Sequence, residues 1–306
     1  MNAQSIRIFL ALAEHKSISE AARALYFSQS AVSQSLNQLE KELGVQLVLR
    51  GRGSRQIGLT PAGEAFIPLA KQRQEVDMLF QQFVRAQTQK SLRIAANATA
   101  HQYLVPEIIQ KLMQQVDSLD LHLTSVLNSN IPNNIERGFF DIAFVTGDAY
   151  STHRATALPF FQSEICLLCS ANTVLPDRPI SPAELDPRAE ITHSIFSHKE
   201  RHKAWHRQHF PANIPPRVQT STFMSLDNYF TDAQCWAAIP LVQALCFVSR
   251  KPTQLAIRRI DPVPYYNPCS IIISKTYPHR DVIEAFLHCC HEYLINKPFL
   301  INCLPQ

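Results

Sequence analysis

Four uncharged hydrogen-bonding side chains, Ser30, Ser33, Gln34 and Asn37, recur at i, i+3, i+4 and i+7. On a helix that spacing gathers them on one face. Hydroxyl and amide groups arranged this way can exchange hydrogen bonds with base edges and touch phosphates as well, which is the chemistry of reading duplex DNA. The opposite side of the same segment carries Val32, Leu36, Leu39 and Leu43, an apolar stripe facing a small core. Ser28 is placed as an N-cap, Gln29 completes the polar end, and Gly44 suits a left-handed stop. A Ser/Gln-rich face can equally be plain solvated surface, so the residues around it must decide.

Those residues supply the frame. Ser17 and Glu20 have the spacing of a capping box, and Ala21, Ala22 and Leu25 make a thin first helix that can cross the second closely. Two short helices three residues apart are the layout of a helix-turn-helix. Downstream lie Arg50, Arg52 and Arg55 with no acid before Glu64, while Gly51, Gly53 and Gly58 permit a hairpin between Val48-Leu49 and Ile57-Leu59. Such a basic hairpin is a wing for phosphates or the minor groove. The formal +4 of the 306 residues supports the same location: residues 1–90 hold 11 Lys+Arg against 7 Asp+Glu, and the remainder is balanced at 18 against 18.

Thr60-Pro61 is a helix-start signal, and from there to about Lys90 Ala62, Phe66, Leu69, Arg73, Val76, Phe80 and Phe83 alternate four and three apart, a heptad seam. A helix of about 28 residues is roughly 42 Å long, too long for burial in one small domain. The dimerisation residues expected from the seam are Phe66, Leu69, Val76, Phe80 and Phe83; the alternative is a helix packed on its own chain.

Residues 1–90 resemble the N-terminal region of the LysR-type transcriptional regulators, through AARALYFSQSAVSQSLNQLEKELGVQLVLR followed by LTPAGEAF. The resemblance implies a cytoplasmic bacterial regulator, homodimeric through the linker helix and commonly a homotetramer, whose C-terminal region binds a small effector. The expected organisation is an N-terminal all-α winged helix-turn-helix (1–60), a linker helix (61–90) and an effector-binding domain (91–306).

Read on its own, the remainder gives strands at 91–97, 119–126 and 141–147 alternating with helices at 101–115 and in IPNNIERG, which argues for a parallel α/β sheet with ligands at the strand carboxyl ends. Further strands are expected at 164–170, 244–250 and 270–276, helices around 199–209 and 224–234, and a final helix in DVIEAFLHCCHEYL. This order resembles the family's two-lobe periplasmic-binding-protein-like region, with lobe I about 91–160 and 268–306 and lobe II about 161–267. GFFDIAFV and Ile239-Pro240 match the family; Ala233-Gln234-Cys235-Trp236, where relatives often carry glycine, departs from it.

Strand ends nominate Asn97, Thr99, His101, Asn128, Ser129 and Thr146 for effector binding, with Ser197, His198 and Lys199 facing them from lobe II. The polar, basic character of the set suits a small anion, though loop polar residues are often only solvated turns. His198, His202 and His206 share a helix face at i, i+4, i+8, but without a carboxylate on that face a basic solvated helix is preferred to a metal site. Cys166 and Cys169 on a strand point to opposite faces, and the HCCH run 288–291 spreads around a helix, so neither is a metal or disulfide set. Eight cysteines and no leader-like start argue for a reducing compartment. No stretch reaches membrane-spanning length, and GxSxG, Walker, HExxH and GxGxxG motifs are missing. The expectation is a non-enzymatic, DNA-binding transcription factor without cofactor or metal. Its partners are double-stranded operator DNA, a small effector and a second copy, with RNA polymerase a further candidate. A metal or redox sensor on the same scaffold is the rival.

Overall fold

The computed structural model describes residues 2–49, 57–88, 90–149, 151–193, 199–211, 214–221 and 223–305. The chain divides into two compact units, 1–88 and 89–306.

The first unit contains α1 (Ala3–His15), α2 (Ile18–Ala24), α3 (Gln29–Leu43), β1 (Val48–Leu49), β2 (Gly58–Leu59) and α4 (Pro61–Thr88). Local chemistry sets the helix ends. Ser17 Oγ accepts from the Glu20 N–H, Ser28 Oγ accepts from the Ala31 N–H at 3.2 Å, and α3 stops at Gly44 with φ +70°. Ile6, Phe9 and Leu12 of α1 meet Ala21 and Ala22 of α2 and Val32, Leu36 and Leu39 of α3 in one buried core, each large apolar side chain contributing about 1.5–3 kcal/mol. β1 and β2 pair antiparallel, Val48 opposite Leu59. Where α4 starts, Thr60 Oγ1 accepts from the Gly63 N–H at 3.0 Å. A Cβ at residue 63 would lie 2.1 Å from the Leu47 carbonyl oxygen, so only glycine allows this approach of α4 to the wing base.

The second unit contains β3 (Ser91–Ala96), α5 (Ala98–Tyr103), α6 (Val105–Gln115), β4 (Asp120–Ser125), α7 (Ile131–Glu136), β5 (Ile142–Thr146), β6 (Ala155–Ser170), β7 (Ile191–His193), α8 (Lys199–His209), β8 (Val218–Thr220), β9 (Trp236–Pro240), α9 (Leu241–Arg250), β10 (Leu255–Arg259), β11 (Tyr266–Ser274), α10 (Arg280–Ile295) and β12 (Ile301–Asn302). β3 runs parallel to β4 and β5, and β11 pairs antiparallel with β5 and with the first part of β6. The last part of β6 pairs instead with β9 and β10. A single 16-residue strand thus belongs to both lobes. Lobe I packs α6 and α10 on one sheet face, around Phe144, Phe160, Phe286 and Tyr293, and α7 on the other. In lobe II, one face of β6 and β9 meets α9 through Ala244 and Phe247, and the other meets Trp205 of α8.

Three expectations need correction. Residues 244–250 are not a strand but most of α9: an apolar run fits either element, and Leu241, Val242, Ala244 and Phe247 are buried at helical spacing. Residues 224–234 form only a 3-10 turn, Phe223–Asn228, followed by irregular chain. The helix expected over 101–115 is two, broken at Leu104 just before Pro106. Among the described residues no helix is long and apolar enough to cross a membrane.

Candidate nucleic-acid interface and ligand cleft

α3 separates its two faces as the spacing implies. Val32, Leu36 and Leu39 are buried, while Ser28, Gln29, Ser30, Gln34 and Asn37 are exposed and Ser33 is half-buried. Ser28 and Ser30 hydroxyls lie 3.0 Å apart at the helix start. Glu40, the first acid along α3, is turned away: Oε1 accepts from the Leu47 and Val48 N–H groups at 2.7 and 3.1 Å, fixing the wing to the end of α3. The exposed side chains of Ser30, Gln34 and Asn37 thus form an uncharged, hydrogen-bonding face. Arg50, Arg52 and Arg55 lie outside the described residues.

The linker residues divide into two sets. Phe66 turns inward, its ring 5.1 Å from that of Phe9, so it belongs to the core of its own chain. Leu69, Val76, Phe80 and Phe83 are exposed, the two phenylalanines by 66% and 65%. Arg73, within the seam, pairs with Asp77 one turn on at 3.1 Å.

At the ends of β3, β4 and β5 the structure brings Asn97, Asn128 and Thr146 together. Asn97 Oδ1 accepts from the Ala100 N–H, and its Nδ2 donates to Thr146 Oγ1 at 2.6 Å and Asn128 Oδ1 at 3.1 Å. Asn128 Nδ2 donates to the carbonyl and hydroxyl oxygens of Thr146 at 2.7 and 2.8 Å. Both amides are occupied within this trio, which staples three strand ends. Ser129 is exposed and donates to Asn130 Oδ1 at 3.4 Å. His101 is half-buried, with Nε2 buried and unpartnered. Of Thr99 and Lys199 the backbone alone is described, and Ser197 and His198 lie outside the described residues. A cavity of about 390 Å³ lies nearer the lobe junction, lined by Asp148, Gln162, Pro268 and Ser270 among others and by none of the nine sequence-named positions.

Two arrangements escaped the sequence. Arg201 of α8 donates from Nη2 to Asp148 Oδ2 of lobe I at 2.7 Å and from Nη1 to the Tyr266 carbonyl at 3.1 Å, tying helix, junction strand and lobe I together. The histidines of α8 do have a carboxylate partner, from 12 residues before His202: Glu190, whose oxygens lie 2.9 Å from His202 Nε2 and 3.3 Å from His206 Nε2. Burial favours the protonated carboxyl, but the bonds from His202 and His206 outweigh it and hold Glu190 below its ordinary value. Among the described residues no group of three His, Cys, Asp or Glu is arranged to hold a metal ion.

A winged helix-turn-helix joined by a long helix to a two-lobe α/β unit defines a class of ligand-responsive DNA-binding proteins. Residues 3–64 match the bacterial regulatory helix-turn-helix protein, lysR family, and residues 85–295 match the LysR substrate binding domain. The chain belongs to the LysR family of transcriptional regulators. It is 28% identical over 216 residues to the uncharacterized HTH-type transcriptional regulator YxjO of Bacillus subtilis (strain 168), covering 69% of this chain and 72% of that one. To the HTH-type transcriptional regulator BlaA of Proteus vulgaris it is 28% identical over 301 residues, 96% of this chain and 95% of the other. Several other curated relatives are matched over 60% or less of their own length. Full-length CbnR, solved with its target DNA, shares the fold with a TM-score of 0.71 at 19% identity, covering 95% of this chain and 99% of that one.

Proposed function

We infer that this LysR-type regulator reads operator DNA through Ser28, Gln29, Ser30, Ser33, Gln34 and Asn37 of α3 and its cap, with Arg50, Arg52 and Arg55 of the wing on phosphates. The observation that carries this is the division of α3 into a buried apolar stripe and an exposed face on which Ser30, Gln34 and Asn37 carry no charge, with Lys41 one turn beyond. The exposed seam of α4 pairs two copies, so that two reading helices address successive major grooves about 34 Å apart. Pairs of dimers then form a tetramer on longer operators.

A small effector, an anion by the character of the strand-end loops, binds between the lobes. His101, with its unpartnered buried nitrogen, is the described strand-end group best placed to accept a new partner, since the Asn97, Asn128 and Thr146 side chains serve one another. Thr99, Ser129, Ser197, His198 and Lys199 complete the contacts. The effector acts by favouring one lobe arrangement over another, and the protein catalyses no reaction.

The test is a pair of substitutions measured by anisotropy across salt concentrations. Gln34→Ala changes base preference, whereas Arg52→Ala weakens all sequences and lowers the salt slope by about one. Unchanged binding by both removes the proposed reading head.

A further inference from the structure

The chain leaves α2 through a Schellman turn. The Tyr26 N–H donates to the Arg23 carbonyl at 3.2 Å and the Phe27 N–H to the Ala22 carbonyl at 2.9 Å. This bonding requires a left-handed residue where Tyr26 stands, and its φ is +58°. Glycine or asparagine is favoured there, because a Cβ at positive φ crowds the following carbonyl. A bulky side chain in that position needs a reason, and the fold supplies none: Tyr26 is 96% exposed. It is thus sterically disfavoured and unrewarded by packing.

Its surroundings are the start of the reading helix. Tyr26 stands two residues before Ser28, the N-cap of α3, and is followed by the exposed Gln29 and Ser30. In a helix-turn-helix this end of the second helix enters the major groove, and the chain leading into it passes the phosphates at the groove edge. A phenol suits that place. Its O–H donates to a phosphate oxygen while the ring covers the adjoining sugar.

We propose that Tyr26 is a DNA-backbone contact, its phenol O–H donating to a phosphate oxygen beside the groove that α3 enters. The assignment rests on the reading of α3 as the DNA-facing helix. The contact orients α3 without regard to sequence, and because the donor is neutral it displaces no counterion.

The test uses the full chain and two duplexes, one enriched from a random pool by the unsubstituted protein and one of random sequence. Tyr26→Gly weakens binding to both by the same factor, roughly tenfold or more per subunit for a hydrogen bond to a charged group. Tyr26→Phe loses most of that factor, the salt slope stays that of the parent, and neither substitution lowers the thermal midpoint. Parental affinity of Tyr26→Gly for both duplexes overturns the proposal. So does a loss confined to the enriched duplex, which makes Tyr26 a base reader, and so does a fallen midpoint, which gives the ring a role in the fold. Failure of the unsubstituted protein to bind either duplex removes the reading of α3 itself, an outcome distinct from the other three.

Discussion

Arg93 in β3 grips Asp141, the residue before β5, with two parallel bonds, Nη2 to Oδ1 at 2.6 Å and Nε to Oδ2 at 2.9 Å. The Arg93 backbone N–H donates to the same carboxylate at 2.9 Å, and Nη1 caps the Gly138 carbonyl at 2.8 Å. Side-chain exposure is 19% for the arginine and 7% for the aspartate. A pair this enclosed leaves an uncompensated charge when one member is removed. Asp141→Ala should therefore cost about 3–5 kcal/mol, whereas replacing both residues with apolar side chains of similar volume should come close to neutral. Denaturant unfolding of the two variants decides this, and equal losses in both would sink the account.

The depressed carboxyl of Glu190 should give the second unit an acid limit. A carboxyl whose folded value is depressed contributes stability that is fully present above its ordinary value near 4.5 and is lost as pH falls through the lower folded value. Thermal midpoints measured downward from pH 5 should fall, and Glu190→Gln should flatten that limb while lowering stability at neutral pH. An identical acid limb in the variant would remove Glu190 from the explanation.

Why was the polar face of α3 legible in the sequence while the Glu190 cluster was not? The stripe of Val32, Leu36 and Leu39, the Ser28 cap and the Gly44 stop are set by contacts within a few residues, so spacing and residue type reveal them. The parallel strands β3, β4 and β5 were similarly readable from alternating apolar runs and helices. Glu190 reaches His202 only because α8 folds back over the lobe II layer, and Arg201 meets Asp148 from 53 residues away. Long-range pairings of this kind leave no local pattern. α9 was misread for a different reason: ALCFVSR is an apolar run whose type depends on what surrounds it. The left-handed Tyr26 did leave a signal, a two-helix turn with neither glycine nor asparagine at its C-terminal cap.

The cysteines should react slowly with peroxide. Burial pushes the thiols of Cys166, Cys269 and Cys290 up, and the half-buried Cys246 and Cys303 are raised by the same cause. The thiolate is the reacting species, so a raised value means slow oxidation near neutral pH. In the folded protein every thiol should react with a disulfide reagent more slowly than free cysteine, and peroxide should leave DNA affinity unchanged. One fast thiol, or a peroxide-dependent affinity, would restore the redox reading.

The seam of α4 can be tested without disturbing the core beneath it. Phe80 and Phe83 are two-thirds exposed, so glutamate at both positions removes little packing within the chain and should change the thermal midpoint of the first unit only slightly. Two copies meeting along this seam would bury those rings, at about 1.5–3 kcal/mol for each side chain withdrawn from water. The double variant should accordingly sediment as a monomer at concentrations where the parent is dimeric, lose affinity for a duplex with two half-sites, and keep its weak binding to one. Phe66→Glu supplies the contrast. Its ring packs on Phe9, so that substitution should unfold the winged unit whatever its effect on assembly. A double variant that stays dimeric would move the interface off α4.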